Sequence, residues 1–362
     1  MTREALQLTV YAGERDRAAG RFAADAIADV FAARRLQTSI VLRGALGFGL
    51  GSVLRTDRLL TASEDLPVVS VAVDEPPRIE AALDDLRRLD LDGLVTLERA
   101  RLLDPCDLAP ARARSLEPGE ATKLTVYVGR ARRIAGRPAY EALVQALHDA
   151  GVAGASVLVG VDGTLLGRRR RARFFAANVD VPAMVVAVGE RPAISAALPM
   201  IGALVENPMA TLERVRVCKR DGRLLAQPHD LPDRDAAGLA VWQKLMVYAS
   251  EQARHDGRPL HEQLVRRLRE RSAPGATCLR GVWGYHGAHR PHGDGFWQLR
   301  RRVPTLTIVV DEPDRAQRWF EVIDELTDET GLVTSEMVPA LRATRRGTRS
   351  RGGLRLAGHE TG

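Results

Sequence analysis

Several residue types are scarce in this chain, and each absence excludes a class of protein. Only three cysteines (Cys106, Cys218 and Cys278) occur in 362 residues, far apart in sequence, which argues against a disulfide framework. No apolar run reaches the length of a membrane-spanning helix. The first residues form no apolar signal segment. We therefore expect reduced thiols, no membrane insertion and a cytoplasmic location.

Lysine is also scarce, although the chain is basic. The formal net charge is +7, yet the lysines are Lys123, Lys219 and Lys244 alone. The arginines cluster at residues 168–173 and 342–355, which places the positive charge in a loop and a tail rather than across the fold. With 45% hydrophobic and 27% charged residues, the composition is typical of a soluble globular protein.

The most informative feature of the chain is a threefold repeat. Each copy has an apolar strand pattern, a Gly-Arg pair and a glycine-rich turn, spaced 116 residues apart between copies one and two and 121 between copies two and three. The strand patterns begin at Leu8, Leu124 and Leu245, the pairs at Gly20, Gly136 and Gly257, and the turns at Gly44, Gly160 and Gly281. A repeat must be recognised before any other assignment. The chain is therefore predicted to be three copies of one domain.

Every copy has the same predicted order of elements, strand-helix-strand-strand-helix-strand. In copy one these are a strand at residues 6–10, a helix after Arg21, a strand at 39–42, a long loop at 43–66, a strand at 67–73, a helix opened by Pro76 and a strand at 94–102. This is the order of the ferredoxin-like unit, whose helices leave one sheet face bare. We expect an α+β fold of three ferredoxin-like βαββαβ domains closed into a monomeric, intramolecular pseudo-trimer.

The repeat also sets the predicted boundaries. The three copies span residues 5–104, 122–218 and 242–341. Residues 105–121 and 219–241 contain several prolines and charged residues and are interpreted as surface linkers. Residues 342–362 are rich in arginine and glycine with few apolar anchors, so we expect a disordered tail.

The repeated motifs resemble those of a known family. In copy one they are Leu8-Thr9-Val10-Tyr11, Gly20-Arg21, Leu42-Arg43-Gly44 through Gly47-Phe48-Gly49, Ser63-Glu64-Asp65-Leu66-Pro67 and Gly93-Leu94-Val95-Thr96-Leu97-Glu98. Copy two matches at Gly136-Arg137-Pro138 and Thr211-Leu212-Glu213, and copy three at Leu279-Arg280-Gly281 with Gly284-Tyr285. Outside the linkers and the tail, the chain resembles the uncharacterised bacterial family DUF 190 of the PII-like signalling proteins.

The resemblance implies a domain that trimerises and binds adenine nucleotides or other small anions in clefts between neighbouring subunits. It also implies a long loop that contacts a partner, either a protein or a membrane transporter. We therefore expect a non-catalytic sensor of a small anionic ligand, with an adenine nucleotide as the candidate and no other cofactor. Family members normally carry one domain, so the triplicated chain allows each cleft a separate fate.

The glycine-rich stretch after the second strand is the best candidate ligand site. Its residues are Arg43, Gly44, Gly47, Phe48 and Gly49 in copy one, and Arg280, Gly281, Gly284 and Tyr285 in copy three. Glycines permit a nest of backbone N–H groups for an anion, and arginine adds a bidentate donor. The alternative is a glycine turn that only leaves the strand. Copy two has Val159 in place of the arginine, and the spacing is not that of a P-loop.

Further polar residues near these motifs are weaker candidates. Glu64, at the end of the long loop, is a candidate contact for a ribose or a partner, or else caps a strand entry. Arg21, Arg137 and Arg258 precede the first helix of each copy. They are candidate phosphate contacts because a helix N-terminus favours an anion, or they are solvated arginines whose stems pack on the helix start.

A histidine-rich loop in copy three raises the question of a metal site. His286, His289 and His292 lie three residues apart, with Asp294 close by. Imidazoles at such spacing on a loop can meet one metal ion. However, the other copies lack them, and glycine and proline break any helical register. The same loop holds Tyr285, Phe296 and Trp297, so we favour lid or interface packing and predict no metal site.

A basic run supports the main alternative function. Residues 168–171 and Arg173 are arginines, followed by Phe174 and Phe175. Such a run, together with the basic tail, can bind nucleic-acid phosphates while the aromatic rings stack on bases. A solvated loop with two core aromatics is the structural alternative. No catalytic pattern recurs in register across the copies, so we do not expect an enzyme.

Overall fold

The structure is a computed structural model. It describes residues 3–49, 51–56, 65–103, 119–171, 181–287, 290–293, 303–345 and 350–358. The elements of copy one are β1 Arg3–Gly13, β2 Arg17–Ala18, β3 Arg21–Phe22, α1 Ala23–Ala33, β4 Thr38–Phe48, β5 Arg55–Thr56, β6 Pro67–Asp74, α2 Pro76–Arg87 and β7 Gly93–Leu102. Copy two has β8 Glu120–Gly129, β9 Arg133–Ile134, β10 Arg137–Pro138, α3 Ala139–Asp149, β11 Gly154–Val159, β12 Asp162–Leu165, β13 Arg168–Arg171, β14 Pro182–Gly189, α4 Arg191–Leu204, β15 Met209–Arg220 and β16 Arg223–Leu224. Copy three has β17 Trp242–Ser250, β18 Arg254–His255, β19 Arg258–Pro259, α5 Leu260–Glu270, β20 Ala276–Arg280, β21 Trp283–His286, β22 His292–Gly293, β23 Pro304–Asp311, α6 Pro313–Leu326, β24 Leu332–Val338 and β25 Ala340–Thr344, and β26 Arg351–Gly353 follows in the tail.

In each copy, long antiparallel strands form a sheet that carries two helices on one face. The strand order in copy one is β4-β6-β1-β7. Apolar residues alternate along β1, so Leu8 lies in a core with Phe31 of α1 and Leu83 of α2. Copies two and three have equivalent cores. The opposite sheet faces meet in one central core built by all three copies. No helix in the described residues is long and apolar enough to cross a membrane.

The last strands of the copies join into a closed ring. β7 of copy one pairs with β15 of copy two, and β15 pairs with β24 of copy three. After β24 the chain continues into β25, which pairs with β7 again. Because copy three returns to copy one through this pairing, the single chain closes a ring of three copies around the central core.

A second joint between copies comes from the glycine-rich stretch. β4 continues through Phe48 and pairs with β20 of copy three. The equivalent strands β12 and β21 pair with β4 and β11. At Gly47 a Cβ would lie 2.6 Å from the carbonyl oxygen of Ala276, so this pairing requires glycine. Gly163 and Gly284 approach their neighbours' carbonyl oxygens in the same way.

Two predictions of irregular structure are wrong. Residues 43–48 are strand rather than the beginning of a loop, because their pairing partner belongs to another copy. The tail is not wholly disordered, because β26 pairs with β25 and Ala357 is fully buried. Arg351 anchors this tail: it lies 3.0 Å from Asp311 and its guanidinium stacks over the Trp242 ring.

Candidate functional site

The two candidate arginines are paired with carboxylates inside their own copies. The Nε of Arg43 lies 3.0 Å from Glu14, and the Nε of Arg280 lies 2.8 Å from Glu251. Both glutamates follow the first strand, so the same ion pair is built twice. Copy two has Val159 in place of the arginine. This ion pair accounts for the recurrence of the arginine, and no ligand is needed to explain it.

The candidate glycines and aromatic residues belong to the joints between copies. A Cβ on Gly44 would lie 3.2 Å from the carbonyl oxygen of Cys278 in copy three. Phe48 is buried in the core of copy three. Tyr285 is buried in the core of copy two, where its hydroxyl donates to the carbonyl oxygen of Val152 at 2.7 Å. The equivalent close approaches in copy three are made by Gly281 and Gly284.

The Gly-Arg pairs lie in three small hairpins that precede the first helix of each copy. Both turn residues have positive φ, as a type I′ turn requires: Ala19 with Gly20, Ala135 with Gly136, and Asp256 with Gly257. The arginines that follow (Arg21, Arg137 and Arg258) are exposed. Arg21 lies 2.6 Å from Asp29. The turn explains the glycines, and the phosphate contacts stay a prediction.

Several candidates lie outside the described residues: Glu64, Arg173, Phe174, Phe175, His289, Asp294, Phe296 and Trp297. Of the histidine-rich loop, His286 reaches across to copy two, where its Nε2 lies 2.7 Å from the Asp221 carboxylate. The Nδ1 of His292 lies 2.8 Å from the carbonyl oxygen of Arg290. Of these two contacts, that of His286 joins the loop to copy two and that of His292 lies within the loop itself.

The basic run forms strand β13 in a hairpin with β12, at the joint between copies one and two. Arg169 lies 2.7 Å from Asp162 and also binds Asp29 of α1. Arg171 lies 2.8 Å from Asp25 of the same helix. Two of the four described arginines therefore bind carboxylates between copies rather than projecting into solvent alone.

A cleft of about 260 Å³, the wide cleft, lies between copies one and three. Its lining combines three arginines and two aspartates with the glycine-rich end of β4 and apolar side chains: Arg55, Arg345, Arg351, Asp16, Asp92, Gly49 and Trp242. The indole of Trp242 is 3% exposed, and its N–H has no hydrogen-bond partner among the described residues. A buried donor without a partner is unfavourable, which marks this wall as suited to an oxygen-bearing ligand.

Carboxylates hold two of the cleft arginines in place. Arg55 lies 3.2 Å from Asp16 and 3.0 Å from Asp65. Arg351 lies 2.7 Å from Glu312 as well as near Asp311. Burial alone would lower the pKa of Arg351, but its hydrogen bonds to these carboxylates raise it. These carboxylates therefore fix the guanidinium groups of Arg55 and Arg351 in position.

A second cleft, the narrow cleft of about 50 Å³, lies between copies two and three at equivalent positions. Tyr285 stands where the wide cleft has Phe48, and His286 stands where it has Gly49. His292 replaces Arg55. The lining of the narrow cleft is mostly apolar, so the two related clefts differ in both volume and charge.

The sequence predictions missed a buried group of charges, the axial ring, which consists of Gln7, Lys123, Lys244, Glu98, Glu213 and Glu336. Equivalent positions in the first long strand of each copy are occupied by Gln7, Lys123 and Lys244. Each of these residues lies directly opposite one of the glutamates. None is more than 8% exposed. Because the members come from every copy and the lysines contact glutamates of other copies, they surround the threefold pseudo-axis. Lysine is scarce in the chain, so Lys123 and Lys244 at matching positions were the available signal.

The ammonium groups bridge the copies. Lys123 lies 2.8 Å from Glu213 and 2.5 Å from Glu336. Lys244 lies 2.9 Å from Glu336 and also binds Glu98. Burial alone would raise the pKa of Glu336, but the two ammonium groups hold it at about 2. These contacts bind copy two to copy three and copy three to copy one.

Three carboxylates that converge are also a possible arrangement for a cation. The glutamate oxygens of the axial ring lie within 4.8 Å of one another. However, Lys123 and Lys244 occupy the space between them and supply the positive charge themselves. The ring is thus an ion-pair network and does not fit a metal centre.

Comparisons with known proteins agree with the repeat. A family model, DUF190 (Uncharacterized ACR, COG1993), matches residues 5–102, 121–217 and 242–340. A UPF0166 protein of Aquifex aeolicus (strain VF5) is 30% identical over 97 residues, which cover 27% of this chain and 90% of that protein. An aspartate kinase structure from Synechocystis aligns at 10% identity over 96% of this chain and 45% of that one, with a TM-score of 0.23 that carries no argument. The three matches cover most of the sequence, and the chain therefore belongs to the DUF190 family, as a protein of three tandem copies.

Proposed function

We propose that this protein is a non-catalytic, cytoplasmic regulator of the PII-like type, which senses a small anionic ligand, with an adenine nucleotide as the leading candidate. In this proposal each copy is a ferredoxin-like domain, which is supported by the order β4-β6-β1-β7 with both helices on one face. The closed ring then replaces a trimer of separate chains.

The wide cleft carries the proposal. It lies between two copies, where the side chains of three arginines and of Trp242 line one space, and the buried indole N–H of Trp242 has no hydrogen-bond partner among the described residues. Arginine is suited to phosphate because its planar fork donates two parallel hydrogen bonds. The wide cleft has a volume of about 260 Å³, which accommodates a small ligand. The narrow cleft, of about 50 Å³, holds little more than a few water molecules.

Signalling follows from the position of the segment after β4. Gly49, Gly51 and Arg55 line the wide cleft, and the long loop that we expect to contact a partner continues from them. A ligand that binds better to one arrangement of this segment shifts the population toward that arrangement. A protein or membrane-transporter partner would then read the occupancy of the cleft.

Calorimetric titration of the full chain with ATP, ADP, AMP and inorganic phosphate tests the proposal. We expect binding of at least one of these ligands to the wild type, and a loss of about tenfold or more in Arg345→Ala. Arg88→Ala is the matched control, because it removes the same charge from an exposed helix end in copy one. Trp242→Phe keeps an aromatic ring and removes the indole N–H, and it is also expected to bind the ligand more weakly than the wild type does. No heat with any ligand, or an equal loss in the control, would contradict the proposal.

The nucleic-acid alternative stays a prediction with less support. Arg169 and Arg171 are engaged by aspartates of copies one and two, and Arg351 anchors the tail on copy three. Gel-shift titration at low and moderate salt tests it, since phosphate contacts give a steep salt dependence. Absence of a shift at low salt would remove this alternative.

A further inference from the structure

The axial ring contains unequal numbers of positive and negative groups. Among the described residues it holds three carboxylates but two ammonium groups, because copy one has Gln7 where the other copies have Lys123 and Lys244. A net negative charge that is removed from water is strongly unfavourable. A buried group in this situation usually takes up a proton rather than remain charged.

The contacts single out one carboxylate. Glu336 touches both lysines, and Glu98 binds Lys244 and accepts a hydrogen bond from a threonine hydroxyl. Glu213 contacts Lys123 alone, through Oε2. Its Oε1 is fully buried and has no hydrogen-bond partner among the described residues. The Oε1 of Glu336 lacks one as well, but the Oε2 of Glu336 is bound by both ammonium groups. Glu213 is therefore the least compensated carboxylate of the ring.

We propose that the axial ring is a proton-binding site, and that Glu213 holds a proton on Oε1 at neutral pH. The ring is then neutral, with two ammonium groups, two carboxylates and one carboxylic acid. This site is separate from the wide cleft and does not depend on the function proposed for it. Its ligand is the proton. Copy one creates the site because the amide of Gln7 is uncharged where the other copies have an ammonium group.

The groups around Glu213 are consistent with this assignment. Besides the two lysines and the other glutamates, the titratable side chains that influence the ring are those of Tyr11, Tyr127 and Tyr248. Burial raises the pKa of each tyrosine, so all three remain neutral. Burial also raises the pKa of Glu213, and the neighbouring Lys123 only partly opposes it.

The proposal fixes how stability depends on pH. The folded ring holds the Glu213 proton more tightly than the unfolded chain does, so this contribution is fully present below the ordinary glutamate pKa. It is lost progressively as the pH rises from there through the raised value. Above that range a buried, uncompensated charge lies where β7, β8, β15, β17 and β24 meet, and the joints between the copies weaken.

Two isosteric variants within the ring separate this proposal from a general effect of substitution. Glu213→Gln replaces the carboxylic acid by a neutral amide, so its urea midpoint is expected to change little between about pH 6 and pH 9, whereas the wild-type midpoint falls over that range. Glu336→Gln removes the carboxylate that bridges both lysines and is expected to lower the midpoint near neutral pH, where Glu213→Gln leaves it close to the wild-type value. Where Glu336→Gln fails to fold, Glu98→Gln takes its place.

Infrared difference spectroscopy gives a direct readout of the proton. We expect a carboxylic-acid C=O band in the wild type at neutral pH that is absent in Glu213→Gln and present in Glu80→Gln, a control at an exposed position of α2. Gln7→Lys supplies the missing ammonium and is expected to remove the band as well. The same pH dependence in Glu213→Gln as in the wild type would overturn the proposal. Stabilisation that depends on the identity of an added alkali cation, with no carboxylic-acid band in the wild type, would also overturn the proposal.

Discussion

The wide and narrow clefts occupy related positions in one ring, yet they have diverged in opposite directions. Arg55 of the wide cleft corresponds to His292 of the narrow one, and Gly49 corresponds to His286. The imidazole of His286 closes onto Asp221, while the glycine leaves space beside the guanidinium groups. The backbone framework is shared, so a few side chains decide whether an interface between copies is filled or open.

The comparison predicts that the joint next to the narrow cleft is the tighter one. A Cβ added at Gly284 would approach the carbonyl oxygen of Ala155 more closely than one at Gly47 would approach Ala276. We expect Gly284→Ala to lower the free energy of unfolding by about 3 kcal/mol, and Gly47→Ala by less. Urea denaturation measures both. Equal losses would show that the two joints are equally tolerant.

The anchored tail distinguishes the wide cleft from its counterpart and gives the second prediction. Asp311 is 1% exposed, and Arg351 supplies its neighbouring positive charge. Among the described residues, Arg351→Ala leaves this carboxylate with the indole N–H of Trp319 as its side-chain donor. We expect a loss of about 2 kcal/mol in the free energy of unfolding. An unchanged denaturation midpoint would mean that the tail contributes nothing to the ring.

Ligand binding gives the third prediction. Arg55→Ala is expected to weaken binding of the best nucleotide or phosphate ligand about tenfold, which is about 1.4 kcal/mol. His292→Ala, at the corresponding position of the narrow cleft, is expected to leave that affinity unchanged. Calorimetric titration of both variants measures the difference. A larger loss in His292→Ala would move the site to the narrow cleft.

The joint between copies one and two extends the comparison and gives the smallest effect. Burial alone would raise the pKa of Asp29, but hydrogen bonds from Arg169 and Arg21 hold it below its usual value. Asp29 therefore stabilises the folded chain above the ordinary aspartate pKa and loses this effect as the pH falls through the lowered value. Because the pair is partly exposed, Asp29→Asn is expected to cost under about 1 kcal/mol near neutral pH. Denaturation at acidic pH should show no difference from the wild type.

The repeat and the order of strands and helices could be predicted because local sequence patterns indicate them. The offset between two copies is the same for every motif, which is visible in one sequence, and the family match confirms three copies. The pairing of residues 43–48 was not predictable in the same way, because hydrogen-bond partners in another copy leave no local signal. Glycine there was interpreted as freedom to turn, whereas Gly47 is required by a neighbouring backbone.

The candidate site shows the same division. Arg43 and Arg280 were singled out because they recur, but their ion pairs with Glu14 and Glu251 account for that recurrence. Arg345 and Trp242 line the wide cleft from positions that do not recur, so a search for shared motifs passes over them. Residues that distinguish one copy from another are found by asking where the repeat fails.

Gln7 illustrates a change at one of three equivalent positions that becomes possible when the three copies lie in one polypeptide. In an assembly of identical subunits, one codon specifies all three places around the axis, so a glutamine there would leave no ammonium group at all. A single polypeptide can change one place and keep Lys123 and Lys244 at the other two. The centre of a nearly symmetric body can thereby acquire a chemistry that symmetry itself forbids.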